Sequence, residues 1–430
     1  MTLEQNKVKE LFAADDWAMG LVKSDTGKLI ECWQNVNTLL THLPEWAGTI
    51  AFDAFSQVPV KLKETPTGSP AGEWTPNDEY LLGMWLSQRH QFTLKSLATI
   101  NTGVMACANA NRFHPVLDWL KTLAWDGKAR LATWLHECLG AEQSEYADLV
   151  GRFFILNMVR RVQQPGCIMR YVPVLEGAQN MGKSTALRLL AQPWFSDVHL
   201  DLTSKDAFEL IQGVWLLEIS EMGAFNKSEI TRVKHFVSTV EDSWVPKYVR
   251  GRIKVKRQVM FSGSTNEGQY LKDWTGGTRY LPIRCLVTGA IELERLQAMR
   301  DQLFAEAVAL LAGGARAYAT PEQEALLFAP QQEERLVDHP WREPIVKWLE
   351  EVSADGRRDT VSTFELLTGA CKVDVSKMTL LNQQDVGRIM DSLGWPRKRE
   401  PKGLRRWFYH RPDAVEYSSK VVEEDDDIPF

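Results

Sequence analysis

The run Gly177-Ala178-Gln179-Asn180-Met181-Gly182-Lys183-Ser184, followed by Thr185, fits the spacing GxxxxGK[ST], and the rest of the chain is best read outward from it. Glycines at 177 and 182 let a loop wrap so that successive backbone N–H groups face inward, a geometry suited to phosphate. A lysine directly after the second glycine reaches the β- and γ-phosphates of a nucleotide, and the Ser184 hydroxyl is placed to ligate Mg2+. A helix opening at Lys183 adds the positive end of its dipole. The strand-like run YVPVLEG leads into the loop, and STALRLLAQ, with helical spacing, follows. Pro173 is awkward in what would be a central strand. At average glycine usage the spacing arises by chance in roughly one chain in a hundred of this length.

On either side of the loop, from about 166 to 290, short apolar runs alternate with helical patterns: GVWLLEIS, KSEITRVKHFVSTV, KRQVMFSGSTN and YLPIRCL. Such alternation predicts an α/β domain with a mostly parallel sheet. A nucleotide-hydrolysing site also needs a carboxylate at the end of a neighbouring strand, to hold the metal's water shell and polarise the attacking water. The strand Val214–Leu217 runs into Glu218 and Glu221, and either could serve. A later strand, VMFSGSTN, ends at Asn266, an amide suited to sensing a γ-phosphate; a plain strand-to-turn exit reads the same way.

The chain holds 430 residues, 44% apolar and 25% charged, which predicts two to four globular domains and excludes disorder as the dominant state. No stretch approaches 18 uninterrupted apolar residues, so no membrane span is expected. An acidic, mixed N-terminus argues against a secretory or transit peptide. Six cysteines and eight histidines lie scattered, with no CxxC pair, and read as reduced thiols of a cytoplasmic protein without a His/Cys metal site. The expected organisation is a mixed region 1–95 (VNTLLTHL, GTIAFDAF and QVPVKL as strand-like runs), helices over 96–165, the nucleotide core 166–290, and a helical lid or linker 291–353. A winged-helix-like domain is expected over 354–417, and a disordered acidic tail over 418–430.

A net charge of −6 hides two basic stripes. Between Trp244 and Ser262 no acid occurs, but Lys247, Arg250, Arg252, Lys254, Lys256 and Arg257 do. The second stripe holds Arg397, Lys398, Arg399, Lys402, Arg405 and Arg406, interleaved with Trp395, Trp407, Phe408 and Tyr409. Both suit the phosphate backbone of DNA, which needs charge and no sequence readout. A solvated edge strand for the first, and a small domain core for the aromatics of the second, are the plainer alternatives.

Taken in order, Gly177–Thr185, VWLLEISEM (214–222), VKHFVSTVEDSWVPKY (233–248), STN (264–266) and YLKDWTGGTRYLPI (270–283) resemble the virulence-associated E (VirE/VapE-like) ATPases of phages and mobile elements, as does FHPVLDWLKTLAWDGKARLATWL (113–135). These are similar to superfamily 3 helicases, and the resemblance covers roughly residues 70–410. It implies an AAA+-like core that uses ATP and Mg2+, a ring-shaped homo-oligomer of six subunits, and work on DNA during replication in the cytoplasm of a bacterial host. It also implies that the hairpin before the Asn266 strand enters the ring channel. Two positions depart from the family pattern: Val245 replaces an arginine before Pro246, and Thr278 replaces the first of a double arginine. That leaves Arg279, and after it Arg250, as the arginine offered to a neighbouring subunit's phosphate.

The final residues, Asp425-Asp426-Asp427-Ile428-Pro429-Phe430, resemble the C-terminal tip of bacterial single-stranded-DNA-binding protein. A terminal Phe offers a ring and a carboxylate at one point, with aspartates for a basic rim. The resemblance implies host proteins that bind that tip as partners; a solvated or self-blocking tail is the alternative. Two functional readings follow: a ring-forming, DNA-dependent ATPase and helicase, or a nucleotide-switched adaptor that hijacks or blocks host replication proteins.

Overall fold

In a computed structural model, residues 16–201, 204, 206–220, 227–245, 251–271, 279–287, 289–337, 339–351, 358–399 and 407–412 are described. They divide into two units, the first comprising residues 1–268 and 278–334 and the second 269–277 and 335–430.

In the first unit, a short 3-10 turn (Asp16–Gly20) leads to helix α1 (Trp33–His42). The run VNTLLTHL, expected as a strand, lies in this helix. Its Val and Thr content favours strand, but Val36, Leu39, Leu40 and Leu43 recur at helical spacing and are all buried, and that burial prevails. The expected strands β1 (Ile50–Asp53) and β2 (Val58–Lys61) pair antiparallel and are joined by β3 (Gly72–Glu73). Helix α2 (Pro76–His90) starts on a Thr75/Asp78 capping box with proline in its first turn. Helix α3 (Leu97–Ala110) is capped by Ser96, and β4 (Arg112–Phe113) closes the four-stranded sheet in the order β3-β2-β1-β4.

Beyond two short helices (Pro115–Thr122 and Trp134–Leu139), α4 (Glu145–Gln163) is buried on nearly every face. Around it stands a five-stranded, wholly parallel sheet: β5 (Val172–Glu176), β6 (Phe195–Ser196) and β7 (Leu216–Ile219), then, past the antiparallel hairpin β8 (Glu241–Trp244) and β9 (Ile253–Lys256), β10 (Met260–Thr265) and β11 (Tyr280–Arg284). The order is β11-β5-β10-β7-β6. A parallel sheet covered on both faces has apolar strands throughout, and every residue of β5 and β10 is buried. Helices α5 (Lys183–Ala191) and α6 (Lys227–Ser238) follow from the alternation read in the sequence, and α7 (Leu293–Ala312) falls in the helical stretch expected over 291–353. One apolar cluster runs from Phe55 to Phe328, across the divisions drawn at 165 and 290. Buried polar ties do the same: Asn157 donates to the Ala317 carbonyl at 2.8 Å, and Glu306 accepts the Arg130 N–H at 2.7 Å.

Pro173 does sit in a central strand, and the sheet accommodates it. Its carbonyl accepts the Ser262 hydroxyl of β10 at 2.8 Å. The N–H and C=O of a strand residue point the same way, so the missing N–H also falls on the β10 side. Backbone pairing there begins only at Val174.

In the second unit, α8 (Arg342–Glu350), a helical turn over 363–370 and α9 (Leu380–Ser392) pack on a small antiparallel sheet. Its strands β12 (Thr360–Ser362), β13 (Arg397–Arg399) and β14 (Trp407–His410) lie in the order β12-β14-β13. Trp395 and Tyr409 are core residues, whereas Trp407 is 47% exposed.

Helices α1 and α3 approach closely at Gly103 of α3. A Cβ there would fall 2.5 Å from Val36 Cβ and 3.0 Å from the Trp33 carbonyl of α1. Gly103→Ala is therefore expected to destabilise the protein by about 1–3 kcal/mol, read as a lower midpoint in chemical denaturation.

Candidate functional site

The loop after β5 needs its glycines. Gly177 has φ +154° and Gly182 φ +97°, and Asn180, at φ 64°, is a residue that tolerates the left-handed region. A Cβ on Gly177 would meet Met181 Sδ at 2.4 Å. Ala178, Gln179 and Asn180 form the exposed crest, while the Met181 side chain is buried in the core and anchors the loop from beneath. The Met181 carbonyl accepts the Ile291 N–H at 2.9 Å, so the segment before α7 braces the loop as well. Gly182 caps α5, whose first residues are Lys183, Ser184 and Thr185, the last two exposed.

Lys183 curls back on the loop: its Nζ donates to the Gly177 and Ala178 carbonyls, each at 2.7 Å. Burial lowers its pKa below the ordinary lysine value, with the neighbouring Glu218 acting in the opposite sense. Burial also pushes the Cys285 thiol up to about 12, so it stays neutral behind the loop.

Across from Lys183, the carboxylate of Glu218 is only 3% exposed. Its Oε1 accepts the Ser184 hydroxyl at 2.8 Å and also the Ser264 hydroxyl. Its Oε2 is buried without a hydrogen-bond partner. A buried charge is costly unless paired, and this one ends in a free oxygen beside the opening of α5. Asn266 is exposed at the end of β10, next to the loop, because the preceding Thr265 carbonyl accepts the Gly177 N–H at 3.2 Å. Lys183, Ser184, Glu218 and Asn266 thus gather at the carboxyl ends of β5, β7 and β10, the edge of a parallel sheet where ligands bind.

Arg279 does not join them. It precedes β11, which runs parallel to β5 with Tyr280 opposite Val172, and so stands at the amino-terminal edge of the sheet, away from the loop. Two further residues join the site without a role of their own in the sequence motifs. Ser264 is one, although it opens STN (264–266); the polar residues 262, 264 and 266, two apart along β10, are the signal that points to it. The other is Arg284, at the carboxyl end of β11, which lies 2.9 Å from Glu334 and 3.8 Å from the buried Glu176 that precedes Gly177. Glu221, Lys247, Arg250, Arg405 and the tip Asp425–Phe430 lie outside the described residues.

The first basic stripe divides by strand parity. In β9, Lys254 and Lys256 are exposed, as is Arg252 just before it, while Ile253 and Val255 turn partly inward. Arg257, expected as a DNA contact, is corrected: it falls on the inward parity and is 1% exposed. Its Nε donates to Asp242 Oδ1 at 2.8 Å, its NH1 donates to the Phe236 carbonyl, and it lies 4.4 Å from the Phe236 ring centroid. Lys254 faces Glu241 of β8 at 3.4 Å, so the stripe, free of acids in sequence, has one opposite it in space. On β13, Arg397 and Lys398 are exposed, with Arg397 5.1 Å from the Trp407 ring centroid.

A family model described as the virulence-associated protein E-like domain matches residues 120–337, just over half of the chain. The chain belongs to the virulence-associated protein E-like family. No curated protein matches it in sequence. Among solved structures, the apo C-terminal region of NrS-1 aligns over 84% of this chain and 95% of its own, at 9% identity and a TM-score of 0.43. A second apo form of that region gives 0.46 at the same identity and coverage. A full-length MCM homologue from Methanopyrus kandleri aligns over 55% of this chain and 48% of its own, at 14% identity and a TM-score of 0.28. Among the described residues of this family member, no helix is long and apolar enough to cross a membrane.

Arg257→Ala strands a buried Asp242 carboxylate and is expected to cost about 3–5 kcal/mol of stability in chemical denaturation. Lys254→Ala, on the solvent face, is expected to leave the midpoint unchanged.

Proposed function

We propose that this protein is a Mg2+-dependent ATPase acting on DNA, a replicative helicase of a phage or mobile element, with Gly177–Thr185 as its phosphate-binding loop on an AAA+-like core. The observation that carries the reading is the buried, unpartnered Glu218 Oε2, set beside the Ser184 hydroxyl and across from Lys183 at the mouth of a glycine loop. That donor set fits a hard divalent cation bound through hydroxyl, carboxylate and water oxygens. Ser184 and Glu218 would hold Mg2+, which when bound supplies neutralising charge to the β- and γ-phosphate oxygens.

The chain's own residues do the rest. Loop N–H groups and the opening of α5 bind the phosphates. Lys183 exchanges its two loop carbonyls for phosphate oxygens, a favourable exchange because a phosphate carries full negative charge. Glu218 or Glu221 accepts a proton from the attacking water, and Asn266 orients that water against the γ-phosphate. Arg279, at the far edge of its own sheet, serves the loop of a neighbouring copy in a ring, in our reading a hexamer; Arg250 is the other candidate for that task. Arg252, Lys254 and Lys256, with Lys247, track the DNA backbone. The second unit, read as a winged helix, adds Arg397, Lys398 and Arg405. The tip Asp425–Phe430 recruits host proteins that bind the single-stranded-DNA-binding protein tip.

Purified protein is expected to hydrolyse ATP, with strong stimulation by single-stranded DNA, and Lys183→Ala is expected to abolish both rates. Flat turnover in the unmodified protein would reject the motor and leave the nucleotide-switched adaptor. For the DNA face, the double change Lys254→Ala and Lys256→Ala should weaken DNA binding alike on all sequences. It should also flatten the log–log salt dependence by about one unit of slope for each lysine replaced. An unaltered salt slope would remove β9 from the DNA path. Deleting Ile428–Phe430 is expected to abolish pull-down of host tip-binding proteins while leaving ATP turnover unchanged; undiminished pull-down would end the mimicry reading.

A further inference from the structure

Ser262 and Ser264 lie two residues apart on β10, so their side chains leave the strand on the same side. Both are buried, at 0% and 7% exposure. Their hydroxyls go to different places. Ser262 satisfies a backbone group, the Pro173 carbonyl, and ties β10 to β5. Ser264 spends its hydroxyl on a side chain, Glu218 Oε1, which already accepts from Ser184.

A carboxylate with two donors on one oxygen and none on the other has its plane fixed and one oxygen presented. The Ser184 donor stands on the loop side of the site, on the first turn of α5. It belongs to the part of the site that must rearrange when Lys183 leaves its loop carbonyls. The Ser264 donor comes from the carboxyl-terminal half of β10, paired there with β5 at Leu175, while two residues earlier Ser262 sits opposite Glu218 of β7. It is tied to the sheet and is not carried by α5.

We propose that Ser264 is the positioning residue of this site: it clamps Glu218 Oε1 from the rigid side of the sheet, so that Oε2 keeps its aim at the cation position whatever Ser184 does. This inference rests on the nucleotide-site reading and goes beyond it by assigning a role to a residue that touches neither phosphate nor cation. Groups that orient a metal-binding side chain commonly matter about tenfold or more to affinity or rate.

The strand supplies its own control. In the full-length chain, Mn2+ binding in the presence of ADP is measured for the unmodified protein, Ser264→Ala, Ser264→Thr and Ser262→Ala, alongside ADP binding without metal and the melting temperature. Ser264→Ala is expected to weaken Mn2+ about tenfold while metal-free ADP affinity stays within about twofold of the unmodified protein. Ser264→Thr, which keeps the hydroxyl, should restore Mn2+ affinity, and Ser262→Ala should leave it unchanged even where it lowers the melting temperature. Unchanged Mn2+ affinity in Ser264→Ala overturns the proposal and spares the nucleotide site. An equal loss in Ser262→Ala overturns it too, by showing that the effect is general loosening of β10. Failure of the unmodified protein to bind Mn2+ with ADP rejects the site itself, a result distinct from either.

Discussion

A carboxylate buried to 3% exposure at the end of an apolar strand is the constraint around which this site is built. Leaving Glu218 charged there costs several kcal/mol unless donors surround it. The fold meets that need with hydroxyls from two directions, one on the opening turn of α5 and one from the carboxyl-terminal half of β10. Both depend on register. Ser264 reaches Glu218 because β10 and β7 pair with Ser262 opposite Glu218, and Ser184 reaches it because the glycine loop brings α5 over the end of the sheet. A slip of one residue in β10 would turn Ser264 to the other face and leave the carboxylate with one donor.

Parallel pairing has a second effect. With five strands running the same way, every carboxyl end lies along one edge, which is why the loop, Glu218, Asn266 and Arg284 are neighbours although they span more than a hundred positions in the chain. The same rule sends Arg279 to the opposite edge. An arginine there has no route to its own loop, so any role it has at a phosphate belongs to a second copy of the chain. Arg284, by contrast, is local: it already neutralises Glu176 and Glu334 at the loop's flank.

Much of this architecture is legible in the sequence, for identifiable reasons. Fully buried parallel strands are continuous apolar runs, and a loop with glycines at positive φ has a spacing that few other structures demand, so β5, β7, β10, β11 and the loop can each be read locally. What cannot be read depends on partners distant in sequence. Ser264 gains meaning only when β10 lies beside β7, forty-odd residues earlier, and Arg284 only beside Glu334. Arg257 misleads because charge alone carries no parity; counting alternate residues from Lys254 and Lys256 turns it inward. VNTLLTHL misleads differently: its Val and Thr residues carry strand preference, and the helical recurrence of Val36, Leu39, Leu40 and Leu43 outweighs it once burial is counted. The divisions at 165 and 290 follow changes in sequence pattern, whereas the core is continuous because α4 and α7 flank the same sheet.

The buried arginines then explain how the two ends of β10 are related. At its carboxyl end the strand delivers Ser264 and Asn266 to the site. At its amino end it continues directly from the β8–β9 hairpin, whose outer face carries Arg252, Lys254 and Lys256. Arg161 of α4 is wholly buried at this junction and donates to the Val259 carbonyl at 3.1 Å and to the Cys167 and Thr239 carbonyls. Arg257 is wholly buried beside it, and Asp242 pairs with Arg257 while also offsetting the charge of Arg161. Two cations held this way pin the base of the hairpin to α4, to α6 and to the start of β10, so the hairpin base cannot swing independently of the strand. The six residues of β10 span about 20 Å and are buried throughout; β7 pairs with the first four and β5 with the last three, so the strand is held along its whole length by one neighbour or the other.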